Sequence, residues 1–183
     1  MPDSSVAGRD GGDDPMLVRA REFAAGALFC ALGVTLPILF HVLGIGRVFL
    51  PMHLPILFAG LVLSPAMAIL VGFLTPWVSM LFTGMPPLPM AVIMCIELGA
   101  LAGVASVARK AGLPVWAAAL AAIAVRMGIT FVLTLSLAQL LHLPPAGVGL
   151  ASVIAGMPGV VLQMVLIPAA AYPFVVRHRT DAA

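Results

Sequence analysis

The chain has 183 residues, of which 62% are hydrophobic and 9% charged, and its formal net charge is +2. One soluble domain would fit that length, but so apolar a composition belongs to an integral membrane protein. The net charge is too small to argue for a nucleic-acid partner, and the basic residues do not gather on one amphipathic face.

Residues 1–14, MPDSSVAGRDGGDD, are small, polar and acidic, and too poor in apolar surface to order themselves. No basic segment precedes an apolar core here, so no cleavable signal peptide is expected. Asp14-Pro15 forms a cap-and-start pair for a first span over about Leu17 to Leu43, with a probable kink at Pro37. Arg19 and Arg21 stand at its entrance. On this span Ala27 and Ala31 lie four apart on one face beside Gly26, a spacing that lets another helix approach closely. Residues 41–50 carry two glycines and Arg47 and read as a loop between spans.

From Pro51 to Pro87 no Asp, Glu, Lys or Arg occurs, and His53 is the single titratable side chain. A soluble core helix cannot be uncharged and apolar for so long, and about 20 apolar residues cross ~30 Å of hydrocarbon. Ser64-Pro65 reads as an N-cap followed by proline at the first helical position, which splits the stretch into two helices. The second span, about Pro51 to Leu63, is short for a bilayer. It belongs in a thin or wet region, or is re-entrant and covered by protein. The third, about Pro65 to Phe82, carries Thr75-Pro76-Trp77 as a kink candidate and ends in the turn sequence Thr83-Gly-Met-Pro-Pro87.

A fourth span over about Pro89 to Ala108 holds Glu97, followed by a small-residue face at Gly99 and Gly103. Arg109-Lys110-Ala-Gly112 is a polar break. The fifth, about Pro114 to Leu141, carries Arg126. The sixth, about Gly149 to Val176, carries Gln163 and is expected to break at Gly156-Met-Pro-Gly159. The expected fold is therefore an all-α integral membrane protein, a bundle of six transmembrane helices. Its core is residues 15–179, between cytoplasmic tails at 1–14 and 180–183. With six spans, Arg19, Arg21, Arg109, Lys110, Arg177 and Arg179 share one side, which puts both termini in the cytoplasm.

Glu97 and Arg126 are the two charges expected within spans. An ionised group at the centre of the bilayer costs at least ~2.5–3.5 kcal/mol, so both should face the protein interior. They either form a structural ion pair or contact a ligand, and the two roles are compatible. For Gln163 an interhelical hydrogen bond is the favoured role. His53, where the outer loop enters the second span, reads first as a packing or capping residue. Cys30 and Cys95 read as small packing residues rather than a disulfide or metal site. A phosphate-binding glycine loop with lysine, HEXXH, a Cys/His zinc cluster and GXSXG are all absent, so no enzyme class is indicated and no cofactor is expected.

Pro51-Met-His-Leu-Pro55, Ala59-Gly60, Leu63-Ser64-Pro65, Val71-Gly72 to Pro76, Phe82-Thr-Gly-Met-Pro-Pro87, Pro89-Met-Ala91 and Glu97-Leu98, in this order, resemble the substrate-binding S components of energy-coupling factor (ECF) vitamin transporters. The resemblance covers about residues 20–176 and is strongest over 51–103. It implies a six-helix, multi-pass protein of a bacterial plasma membrane that binds a vitamin near the outer face. It also implies docking onto a transmembrane coupling protein with two cytoplasmic ATPase subunits, and delivery of the vitamin by toppling. The first-helix alanine pattern of such proteins matches Ala27 and Ala31 as the coupling-protein contact. Their pockets are built from outer loops and the outer halves of helices four to six. On that basis Arg47, His53, Met85, Glu97, Arg126 and Gln163 are the candidate substrate-binding residues, chosen by polarity and depth. Arg126 would suit a vitamin with an acid group if Glu97 does not already neutralise it. The alternative is a structural scaffold of cell-shape machinery with no metabolite ligand.

Overall fold

The structure is a computed structural model that describes residues 14–42, 44, 51–140 and 145–180. These form six helices and no strand: α1 (Pro15–Val42), α2 (His53–Val62), α3 (Pro65–Thr83), α4 (Leu88–Lys110), α5 (Val115–Leu140) and α6 (Pro145–Thr180). All but α2 contain a stretch long and apolar enough to cross a membrane, which makes this a multi-pass membrane protein by length and composition. Arg47 and most of the two expected tails lie outside the described residues.

Helix ends follow the punctuation of the sequence. Asp14 caps α1, its Oδ1 accepting the Met16 N–H at 3.0 Å. Gly84 closes α3 in the left-handed region, at φ 71°, and Gly112 follows α4 at φ 91°. Ser64-Pro65 does start α3, but the Ser64 side chain makes no cap bond. Instead the Ser64 N–H donates to Glu22 Oε1 of α1 at 2.7 Å. A carboxylate borrowed from another helix thus satisfies an N-terminal donor and suits the positive end of the α3 dipole.

One expectation fails. The helix α6 does not break at Gly156–Gly159. It runs unbroken for 36 residues with Pro158, Pro168 and Pro173 inside it. A proline removes one backbone hydrogen bond, but in hydrocarbon no water replaces the others, so the helix persists through it. Likewise α1 and α3 continue through Pro37 and Pro76.

Ten residues make α2 about 15 Å long, half the hydrocarbon thickness. It survives there because protein covers it: α2 packs against every other helix, and Ile56, Leu57, Ala59 and Leu61 are fully buried. The five long helices wrap it in the order α1, α3, α4, α5, α6. Among the described residues α1 and α6 do not touch each other.

Burial of apolar surface cannot drive this packing in lipid, so close backbone approach and hydrogen bonds carry more of it. At Gly60 of α2 a Cβ would lie 2.7 Å from the Ala102 carbonyl oxygen and 2.8 Å from its Cα. At Gly72 of α3 it would lie 2.7 Å from the Leu98 carbonyl carbon. Gly103 lies against the Ile69 side chain of α3, so the small face expected on the fourth span is turned toward α3. Ser106 Oγ donates to the Leu63 carbonyl at 2.7 Å, tying α4 to the end of α2.

These contacts fix directions. Glu22 meets Ser64, Gly26 meets Met67 and Gly33 meets Thr75, so α1 and α3 run parallel. Leu98 meets Gly72 and Gly103 meets Ile69, so α4 runs against α3. Arg19 and Arg21 on α1 therefore stand at the same end of the bundle as Arg109 and Lys110 on α4.

Candidate functional site

At the other end of the bundle lies a cavity of about 810 Å³. Its described walls are the last turns of α1 (Pro37, Ile38, His41, Val42), the segment Pro51-Met52-His53, the end of α3 (Ser79, Thr83), the turn Met85-Pro86-Pro87, and Met90 and Met94 of α4. The volume is that of a small-molecule site. Most of the lining is apolar, with four methionines and four prolines.

Two hydroxyls on the wall serve the turn rather than a ligand. Ser79 Oγ donates to the Met85 carbonyl at 2.9 Å. Thr83 Oγ1 lies 2.7 Å from the Ser79 carbonyl and 3.1 Å from that of Met85, and accepts the Met85 N–H at 3.2 Å. Both bond sets hold the 83–87 turn against α3. At the mouth His41 is exposed, with Nδ1 3.0 Å from the Pro37 carbonyl. A carbonyl only accepts, so Nδ1 carries the proton and Nε2 of the neutral ring is an acceptor.

His53 forms the floor. It opens α2, is 3% exposed, and turns Nε2 to within 4.0 Å of Glu97 Oε2. His53 is thus buried inside the protein and faces a carboxylate. Glu97 of α4 is buried too, and Arg126 and Thr130 of α5 also act on its carboxylate. Thr130 Oγ1 donates to the Arg126 carbonyl at 3.0 Å.

Of the two roles open to Glu97 and Arg126, a direct ion pair is not formed. Among the described residues the basic group within 4.0 Å of the Glu97 carboxylate is His53, and Arg126 acts on it from farther off. Arg126 Nε is buried with no hydrogen-bond partner among them. Gln163 of α6 is fully buried, and the interhelical bond expected of it is absent: neither amide atom has a partner among the described residues.

The structure thus brings together some of the expected site residues and not others. His53 and Met85 line the cavity; Glu97 faces His53 without lining the cavity, and Arg126, also off the described wall, acts on Glu97. Gln163 does not line the cavity, and no described wall residue comes from α5 or α6, although helices four to six were expected to build the pocket. The wall from α1 and α3 was not foreseen; a histidine one turn beyond Pro37 was its one visible sign. Ala27 and Ala31 are exposed on α1. Cys30 and Cys95 are free thiols, and among the described residues no group of three His, Cys, Asp or Glu side chains assembles as a metal site.

The arrangement suits reversible binding of a small molecule with an apolar body and a polar end. Comparison of the chain with protein-family models, with curated proteins and with solved structures finds no match.

Proposed function

We propose that this chain is the substrate-binding subunit of an ECF-type importer in a bacterial plasma membrane. It captures a vitamin or related micronutrient at the outer face and works with a transmembrane coupling protein and two ATPase subunits. The observation that carries this reading is the cavity at the end of the bundle opposite Arg19, Arg21, Arg109 and Lys110, lined by the buried His53, which faces Glu97. Positive residues stay in the cytoplasm, so the cavity faces outward and both termini inward. In this topology α2 belongs to the second of six crossings. The exposed Ala27 and Ala31 are the coupling-protein contact. The chain binds and releases its ligand unchanged, with no chemistry of its own.

The test is a thermal-shift screen of the detergent-purified protein against the water-soluble vitamins. A ligand at a hundred times its Kd adds ~2.7 kcal/mol of stability. One strong shift supports the binding reading. A folded sample that no compound shifts removes it and favours a scaffold without a ligand.

A further inference from the structure

We propose that Ser79 and Thr83 are positioning residues of the binding site. Their hydroxyls hold the 84–87 turn as a preformed wall of the cavity, so that the ligand docks there against a fixed surface. This rests on the binding reading above and says which residues set the shape of that site.

Each hydroxyl has one proton to place. Thr83 Oγ1 lies nearer the Ser79 carbonyl, at 2.7 Å, than the Met85 carbonyl, at 3.1 Å. Its proton goes to the Ser79 carbonyl, and its oxygen is then free to accept the Met85 N–H at 3.2 Å. Ser79 Oγ supplies the proton for the Met85 carbonyl at 2.9 Å. Both backbone polar groups of Met85 are thus held by side chains of α3. This is not the default for a helical hydroxyl in this chain. Thr35, Thr75, Thr130 and Ser136 all bond the carbonyl four residues back in their own helices, whereas Ser79 reaches six positions forward, out of its helix and into the turn.

The rest of the turn is fixed as well. The Gly84 N–H donates to the Met80 carbonyl at 2.9 Å, and Pro86 and Pro87 have no N–H and a restricted φ. The Pro87 carbonyl accepts the Met90 and Ala91 N–H groups at 2.9 and 3.0 Å, which ties the far end of the turn to α4. Met85, Pro86 and Pro87 all line the cavity. A wall whose own hydrogen bonds are complete before a ligand arrives loses little freedom on binding, and that saving appears as affinity. The apolar core, by contrast, is built mainly from Met52 to Val71 and from Leu98 to Ile123, and leaves the turn out. Loss of the two hydroxyls therefore reaches binding before it reaches the stability of the bundle.

The test uses the full-length protein in detergent. Amide exchange at Met85 reads the wall without any ligand. It is expected to be slow in the native protein, faster in Ser79→Ala and in Thr83→Val, and slow again in Thr83→Ser, which keeps the hydroxyl. Binding is read with thiamine, riboflavin, pyridoxine, nicotinate, pantothenate and biotin, the tightest of them serving as the probe. Ser79→Ala and Thr83→Val are each expected to weaken it by about fivefold or more at a nearly unchanged unfolding midpoint, and Thr83→Ser to recover most of the loss. Fast exchange at Met85 in the native protein, or a smaller loss of affinity in either folded variant, overturns the positioning role and leaves the binding reading intact. So does a loss in Thr83→Ser equal to that in Thr83→Val, because the hydroxyl is then not what matters. If one variant does not fold, the other and the native exchange rate decide. Absence of binding by every probe to a folded native sample overturns the positioning role and the binding reading together.

Discussion

His53 Nε2 stands 4.0 Å from Glu97 Oε2, and both side chains are buried between α2 and α4. Arg126 supplies the opposing charge from α5 without closing to contact. Removing one member of a buried charge pair leaves the other uncompensated, which costs about 3–5 kcal/mol. Arg126→Met should therefore lower unfolding stability in detergent by about 3 kcal/mol or more, and adding Glu97→Gln should restore much of it. If the two substitutions are simply additive in an unfolding titration, Glu97 and Arg126 are not electrostatically linked.

The close approaches at Gly60 and Gly72 are to backbone atoms, which cannot move aside as a flexible side chain can. Gly60→Ala and Gly72→Ala should each destabilise the protein by about 1–3 kcal/mol through overpacking. The control is Gly128 of α5, where a Cβ meets nothing within 4 Å. Gly128→Ala should be neutral, or stabilising by up to about 1 kcal/mol. Equal losses at all three positions in a thermal-unfolding series would show that helix packing does not set the difference.

Glu22 holds the Ser64 N–H of the α2–α3 junction at 2.7 Å. Its removal leaves a helix N-terminus without its cap, typically a loss of about 0.5–2 kcal/mol. Glu22→Ala should show that loss. Glu22→Gln, which keeps an acceptor oxygen but no charge, should lie between Ala and the native residue. Exchange of the Ser64 amide with deuterium reports the same contact: it should speed up in Glu22→Ala and stay slow in Glu22→Gln.

The orientation proposed for the bundle has a direct readout. Met85 is 53% exposed on the turn beside the cavity, and Lys110 is exposed at the opposite end. In a background with Cys30 and Cys95 replaced by alanine, Met85→Cys should react with an impermeant maleimide on intact cells. Lys110→Cys should react only after permeabilisation. The reverse pattern would turn the cavity toward the cytoplasm and remove the import reading.

Helix starts and stops were legible because Pro and Gly mark them chemically. Pro15, Pro65, Gly84 and Gly112 all sit where the helices begin or have just ended. Composition carried the membrane character. What misled was punctuation at membrane depth: Gly-Met-Pro-Gly is a turn in water, but α6 passes through it because lipid offers its backbone no other partner. Burial along 51–57 left little trace either, since nearly every residue there is apolar and nothing in the order marks His53 as facing Glu97. Pairings between distant helices leave no trace in one sequence. Glu22, next to Arg21, looks like any charge near a membrane interface, and only the α1 and α3 adjacency gives it a partner 42 positions away.

Half a bilayer in length, α2 reaches all five long helices, while α1 and α6 do not reach each other among the described residues. Its first residue is the floor of the cavity. The molecule therefore has a hub rather than a chain of neighbours. A ligand that displaced His53 would move a helix that touches all five others, so α1 and α6 would each lie one contact away from the cavity although they do not touch each other among the described residues.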